Sequence, residues 1–151
     1  MYIEEKIDSL GKSLPTAPAA IAAYIPAKQV GTTILTSGQL PLQEGKVILT
    51  GKLGKDITIE DTKEAAELAC LNALAATKAL CGKLDAIKQV VRVVVYVNSA
   101  ADFYEQHLVA NHASEFLAEI FGEKGKHCRS AVGVYALPLN SCLELELTVE
   151  V

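Results

Sequence analysis

The chain has 151 residues, half of them apolar, which is enough for one domain with a buried core. A net charge of −4 argues against broad affinity for phosphate backbones, so no nucleic-acid partner is expected. No apolar run reaches the ~20 residues of a membrane span, and Met1-Tyr2-Ile3-Glu4-Glu5 does not read as a signal peptide. A cytoplasmic protein without membrane contact is expected.

In chain order, Ile3 to Leu10 predicts a short helix stopped by Gly11, and Leu14 to Pro18 an extended connection. Ile21 to Pro26 and Thr32 to Ser37 read as strands, β-branched and apolar, bounded by Pro or Gly. Gln39 to Asp56, with its glycines and lysines in turn contexts, reads as a long loop. Thr58-Ile59-Glu60-Asp61 resembles a capping box, with Asp61 in place of the usual Glu or Gln. The helix that follows ends at Cys81-Gly82 and carries a stripe of Ala66, Ala69, Ala73, Ala76 and Leu80.

Val90 to Val97 predicts a strand buried on both faces, interrupted by Arg92 and Tyr96. Ala101 to Phe121 predicts a second long helix, broken near Asn111 and stopped by Gly122. Ser130 to Ala136 and Leu143 to Val151 close the chain as strands. The last alternates: leucines and valines point one way, and Glu144, Glu146, Thr148 and Glu150 the other. Leu137 to Ser141 reads as a hairpin-type loop between them. The expected fold is therefore α+β, a mixed sheet with two main helices on one face, in a single domain over 1–151 with 1–14 as a helical extension.

Several constellations can be weighed on spacing. Gly45 to Leu53 looks like a phosphate loop, but five residues separate Gly45 from Gly51, and Leu53 stands where Ser or Thr must hold magnesium. His107, His112 and His127 show no i, i+4 pair, so they are read as surface or helix-end residues and no metal site is expected. Cys70, Cys81, Cys128 and Cys142 form no C-x-x-C pair. Cys70 and Cys81 stand ~16 Å apart on one helix, so all four are read as reduced thiols.

Arg129 begins a strand and can offer a carboxylate two parallel hydrogen bonds. Its alternative is an ion pair with Glu144, Glu146 or Glu150 on the neighbouring strand. Glu144 is either a solvated surface carboxylate or a general base beside an apolar cleft. Tyr24 is either core or site, and Asn111 either a helix cap or a ligand group.

Three blocks then carry a resemblance. Ala19-Ala20-Ile21-Ala22-Ala23-Tyr24 is followed by Thr36-Ser37-Gly38-Gln39-Leu40-Pro41. Asn72 lies in the long helix before the valine strand. Arg129-Ser130-Ala131-Val132-Gly133-Val134 precedes Leu137-Pro138 and Leu143-Glu144-Leu145-Glu146. From Ala17 onward the sequence resembles the Rid family of reactive-intermediate deaminases, also called YjgF-like or L-PSP endoribonuclease-like proteins.

The resemblance implies a chorismate-mutase-like fold and a homotrimer with clefts between subunits. It implies cofactor-free hydrolysis of 2-imino or 2-enamino acids to 2-oxo acids and ammonia. Residue by residue, it gives Arg129 the substrate carboxylate and Glu144 the attacking water. It places the Gly38 backbone and Tyr24 on the cleft wall, and Asn111 before the last helix as a substrate contact. Ala131 stands where the family archetype has a cysteine. Two alternatives use the same resemblance: a non-catalytic trimer that binds keto acids or amino acids, and a ribonuclease or translation inhibitor. The acidic charge and the lack of stacking aromatics weigh against the latter.

A simple hairpin centred on Leu139 and Asn140 sets Arg129 opposite Glu150. It lies then about six residues, or ~20 Å, from Glu144 along the ladder. If both residues act on one small substrate, they are expected to come from adjacent subunits.

Overall fold

The structure is a computed structural model that describes residues 2–17 and 23–151. Its elements are helix α1 (Ile3–Ser9), strands β1 (Ala27–Val30) and β2 (Thr33–Thr36), a small ribbon of β3 (Leu42–Gln43) and β4 (Lys46–Val47), and helix α2 (Lys63–Cys81). These are followed by β5 (Gln89–Asn98), α3 (Gln106–Phe121), β6 (Cys128–Val134) and β7 (Leu143–Glu150). The long strands form one mixed sheet in the order β1-β2-β7-β5-β6, in which only the β5/β6 pair is parallel. The fold is α+β, with α2 and α3 packed on one face of that sheet.

The alternation in β7 decides which face is inside. Leu143, Leu145, Leu147 and Val149 are buried against the helices, and the polar residues between them face the other way. Val93, Val95 and Val97 of β5 lie level with those leucines and are buried with them. A register shift between Val90 and Arg92 puts Val90 on the same inner face, three residues before Val93. The expectation that β5 is covered on both faces is not met. Val91 and Arg92 are exposed, and Val94 and Tyr96 half-buried, on a face that no helix covers.

The capping box forms as written. Thr58 N–H donates to Asp61 Oδ2 at 2.9 Å, and Asp61 N–H donates to Thr58 Oγ1 at 3.3 Å. A 3-10 turn over Glu60–Thr62 leads into α2, which stops at Gly82 with a φ of 84°. Ala66, Ala69, Ala73 and Ala76 are buried as the stripe requires, whereas Leu80 near the helix end is 44% exposed. The small residues let α3 approach, and Cys70 Sγ lies 3.9 Å from the Ala113 carbonyl oxygen. α1 is tied to α2 and its flanks by Lys78–Glu4 and by the Ile3 N–H to Asp85 Oδ1, with Ile7 fully buried beneath it.

Four other expectations are corrected. Residues 21 and 22 of the strand expected over Ile21 to Pro26 lie outside the described residues. From 23 to 26 the chain turns, and the strand begins at Ala27. The expected loop from Gln39 to Asp56 contains the β3–β4 ribbon, turned at Glu44 and Gly45 with positive φ. α3 begins at Gln106 rather than Ala101 and runs unbroken through Asn111.

The largest correction concerns the last two strands, which are not a hairpin. The β5–α3–β6 unit lays β6 parallel to β5 at the sheet edge, as a helical crossover does. β7 then returns on the far side of β5, between β5 and β2. The crossing loop takes left-handed conformations at Leu139 and Asn140. It is pinned by buried Asn98, whose Nδ2 donates to the Ser141 carbonyl at 3.0 Å and to Asn140 Oδ1 at 3.2 Å.

Candidate functional site

The chain's two arginines lie on opposite faces of the sheet. Arg129 is level with Val93 and shares its inward direction, at the sheet edge where α3 passes over. Arg92 is level with Cys128 on the open face, where its guanidinium donates to Ser130 Oγ at 2.7 Å.

Arg129 is held by α3. Its Nη1 donates to Asn111 Oδ1 at 3.0 Å and to Ser114 Oγ at 3.1 Å, and its Nη2 reaches the His107 carbonyl at 3.5 Å. All three acceptors are neutral. Among the described residues no carboxylate pairs with it, so the expected alternative of an ion pair with Glu144, Glu146 or Glu150 is not what the chain builds. Both Nη1 protons are engaged, and the Nε–Nη2 edge is left to make two parallel bonds to a planar anion. Asn111 is therefore a mid-helix residue that orients the arginine, not a helix cap.

The sequence reading took the next residue in this cluster, His127, for a surface or helix-end histidine. His127 lies two positions before Arg129, so the two side chains leave the same side of the chain. Its Nε2 is 2.9 Å from Ser114 Oγ, and its Nδ1 is 2.6 Å from the Gly125 carbonyl oxygen. The signal was present as two short spacings: Asn111 and Ser114 at i, i+3 on one helix, and His127 and Arg129 at i, i+2 across the start of β6.

Glu144 occupies the other face. It is level with Tyr96, beside Glu146, whose carboxylate accepts a hydrogen bond from the Tyr96 hydroxyl at 3.0 Å. Half-buried, it is pressed against Gly38: a Cβ on Gly38 would stand 2.8 Å from the Glu144 carboxyl carbon. Only glycine lets the backbone approach the carboxyl so closely. Partial burial raises the Glu144 pKa above the ordinary carboxylate value, and the neighbouring Glu146 adds to the rise. Donation to Glu146 likewise raises the Tyr96 hydroxyl.

Tyr24 is 57% exposed and lines a shallow depression with Ile25, Lys28, Leu35 and Ser37. It is thus surface rather than core, and it shares that hollow with Ser37, the residue before Gly38.

The structure thus sorts the expected residues into two groups. Asn111 and Arg129 meet on the helix side, and Gly38 and Glu144 meet on the open side, with Tyr24 at the latter's margin. Glu144, Tyr96 and Val132 share one level, and Arg129 is three residues further along β6. Arg129 is therefore ~10 Å along and ~10 Å across the sheet from Glu144, on its other face. The ~20 Å derived from a hairpin is wrong in its geometry. One small molecule still cannot touch both groups of one chain.

The cysteines are unpaired. Burial pushes the Cys142 thiol up to about 12 and Cys70 higher still, so both pack as apolar fillers. No helix among the described residues is long and apolar enough to cross a membrane.

A family model described as "YjgF/chorismate mutase-like, putative endoribonuclease" matches residues 4–151. Protein TCP17 of Trypanosoma cruzi is 37% identical over 149 residues, which are 98% of this chain and 93% of that protein. A protein of Dermatophagoides farinae named 2-iminobutanoate/2-iminopropanoate deaminase is 30% identical over 138 residues, covering 91% of this chain and 92% of the relative. Among solved structures, a "putative endoribonuclease" from Shewanella oneidensis MR-1 superposes with a TM-score of 0.94 at 37% identity, over 100% of both chains.

Proposed function

This chain belongs to the YjgF/chorismate mutase-like family, and we propose that it hydrolyses 2-imino acids and their 2-enamino tautomers to 2-oxo acids and ammonia, in clefts between the subunits of a homotrimer. The observation that carries the reading is Arg129, a guanidinium oriented by three neutral groups of α3 and left with an open edge. An arginine in that state keeps its charge for a ligand anion, and the anion common to these substrates is a carboxylate. The name of the Dermatophagoides relative, a deaminase of 2-imino acids, supports the same substrate class.

The reaction asks little of a protein. The C=N carbon of an imino acid is already electrophilic. Water adds to it as one of its protons moves to nitrogen, giving a carbinolamine. The remaining hydroxyl proton then also moves to nitrogen as the C–N bond breaks, which releases ammonia and leaves the 2-oxo acid. Glu144 is the base that takes the proton from water and returns it to the departing nitrogen. A carboxyl with a raised pKa is a stronger base once ionised, and such help is worth about 10²- to 10⁴-fold. Holding the carboxylate and the water in register supplies more. Because Arg129 and Glu144 face opposite sides of the sheet, the cleft takes Arg129 from one subunit and Gly38, Tyr24 and Glu144 from the next.

The test generates an imine in place with an amino-acid oxidase and traps it with semicarbazide. Adding the chain is expected to lower the semicarbazone yield while 2-oxo acid appears at the same total. An unchanged semicarbazone yield with measurable 2-oxo acid binding would replace the enzyme by a small-molecule binder.

A further inference from the structure

Ser114 sits in the middle of α3, where a serine hydroxyl commonly bonds back to its own helix carbonyl. Here the hydroxyl is shared instead between His127 and Arg129. The direction of each bond follows from what the groups can do. Arginine only donates, so Ser114 Oγ accepts from Arg129. The Gly125 carbonyl can only accept, so His127 Nδ1 carries the ring proton, and in the neutral imidazole Nε2 is left to accept the Ser114 hydroxyl proton. Serine, an acceptor nitrogen of histidine and a group orienting the far side of the ring make the arrangement that activates a hydroxyl nucleophile.

The arrangement depends on Gly125. A Cβ there would stand 2.6 Å from the Leu117 carbonyl oxygen and 3.1 Å from Ala118 Cα. Its absence lets the 3-10 turn Gly122–Gly125 close against the α3 backbone, and this puts the Gly125 carbonyl under the ring of His127. The residues open into a shallow cleft of ≈ 320 Å³ lined by Ser114, Ala118, Gly125, Lys126, His127 and Arg129. Two of those six are cations, and none is acidic.

We propose that Ser114 is an activated nucleophile with His127 as its base, and that its cleft takes small esters bearing a carboxylate. Ser114 Oγ attacks the ester carbonyl carbon, and its proton passes to His127 Nε2. Arg129, 3.1 Å from that oxygen, faces the negative charge that develops on the carbonyl oxygen, and Lys126 at the rim draws the substrate carboxylate. The C–O bond to the alcohol breaks, His127 returns the proton to the leaving oxygen, and water then releases the acyl group as a second carboxylate. The activity shares Arg129 with the imine cleft but is read without imine turnover, so either reading can fail alone.

The experiment treats the full chain with a small alkyl fluorophosphonate and locates the adduct by peptide mass spectrometry. The phosphonyl group should replace the Ser114 hydroxyl proton as fluoride leaves, with one adduct per chain. Labelling should be about 10²-fold slower or more in His127→Gln and absent in Ser114→Ala. Ser114 labelling no faster than in the urea-unfolded chain, or unchanged in a folded His127→Gln protein, overturns the proposal whatever the other variant does. The ester class is read by p-nitrophenyl hemisuccinate against p-nitrophenyl butyrate. The anionic ester should turn over faster, and equal or slower turnover overturns the assignment of a carboxylate-bearing substrate.

Discussion

Arg129 makes all its hydrogen bonds to neutral acceptors, and lysine cannot replace it. A lysine ammonium is a point charge on a flexible stem and offers no edge with two parallel donors. Arg129→Lys should therefore lose imine hydrolysis nearly as fully as Arg129→Ala, and both variants should melt near the parent temperature, as the side chain is only half-buried at the sheet edge. Steady-state rates of the three proteins check this. Retained turnover in the lysine variant would mean that charge alone suffices.

Glu144 carries a pH dependence whose sign is fixed by its raised pKa. The carboxyl titrates above the ordinary glutamate value of about 4.3. Below that raised pKa the base is protonated, so turnover falls on the acidic side, and Glu144→Gln should lose both turnover and the acidic limb. Stability runs the other way. Burying the ionised form costs stability near neutral pH, and the cost is relieved as pH falls through the raised pKa. Glu144→Gln should therefore be more resistant to urea than the parent at neutral pH, and the two should converge in acid. A parent that is the more stable at neutral pH would contradict the assignment of burial as the cause. At this scale the sequence offered Arg129, Asn111, Gly38 and Glu144 as candidates, but not the company they keep. His127 was read as a surface or helix-end histidine and Ser114 was passed over, because each spacing is unremarkable alone and acquires meaning when α3 crosses β6.

Among the elements, period and punctuation were enough to identify α2, β5, α3 and β7. Alternation in β7 predicted its inner face, and Thr58 with Asp61 predicted the start of α2. Pairing partners were not readable in the same way. Two adjacent strands joined by a Pro-containing loop look like a hairpin, and nothing local reveals that β5 already occupies the place between them. The 3-10 turn before β6 offers a test of how closely elements are packed. Gly125→Ala places a methyl against the α3 backbone, which cannot swing aside as a side chain could, and should cost about 1–3 kcal/mol. Urea denaturation measures it. A variant of parental stability would show that the turn can lift off α3 freely, and the His127 geometry would then have no fixed base.

For the whole molecule, the proposed assembly rests on the two faces of the sheet. Helices cover one face, and the other presents Glu144, Glu146, Tyr96 and Arg92 beside Val94 and Val132. In the proposed trimer one subunit's β6 edge would meet the next subunit's open face and complete a cleft that a single chain lacks. The expectation of two subunits was drawn from a hairpin register that the structure corrects. The register in the structure gives it a different reason, because the two residues point to opposite sides.

Subunit exchange between Arg129→Ala and Glu144→Gln proteins tests this most directly. Each is expected to be inactive alone. In an equal, randomly mixed trimer, about a quarter of the clefts pair an intact Arg129 with an intact Glu144 from the neighbour. Imine hydrolysis should return to about that fraction of the parental rate per site. No recovery, after mass spectrometry has verified mixed trimers, would contradict the account and put both residues in the site of one chain.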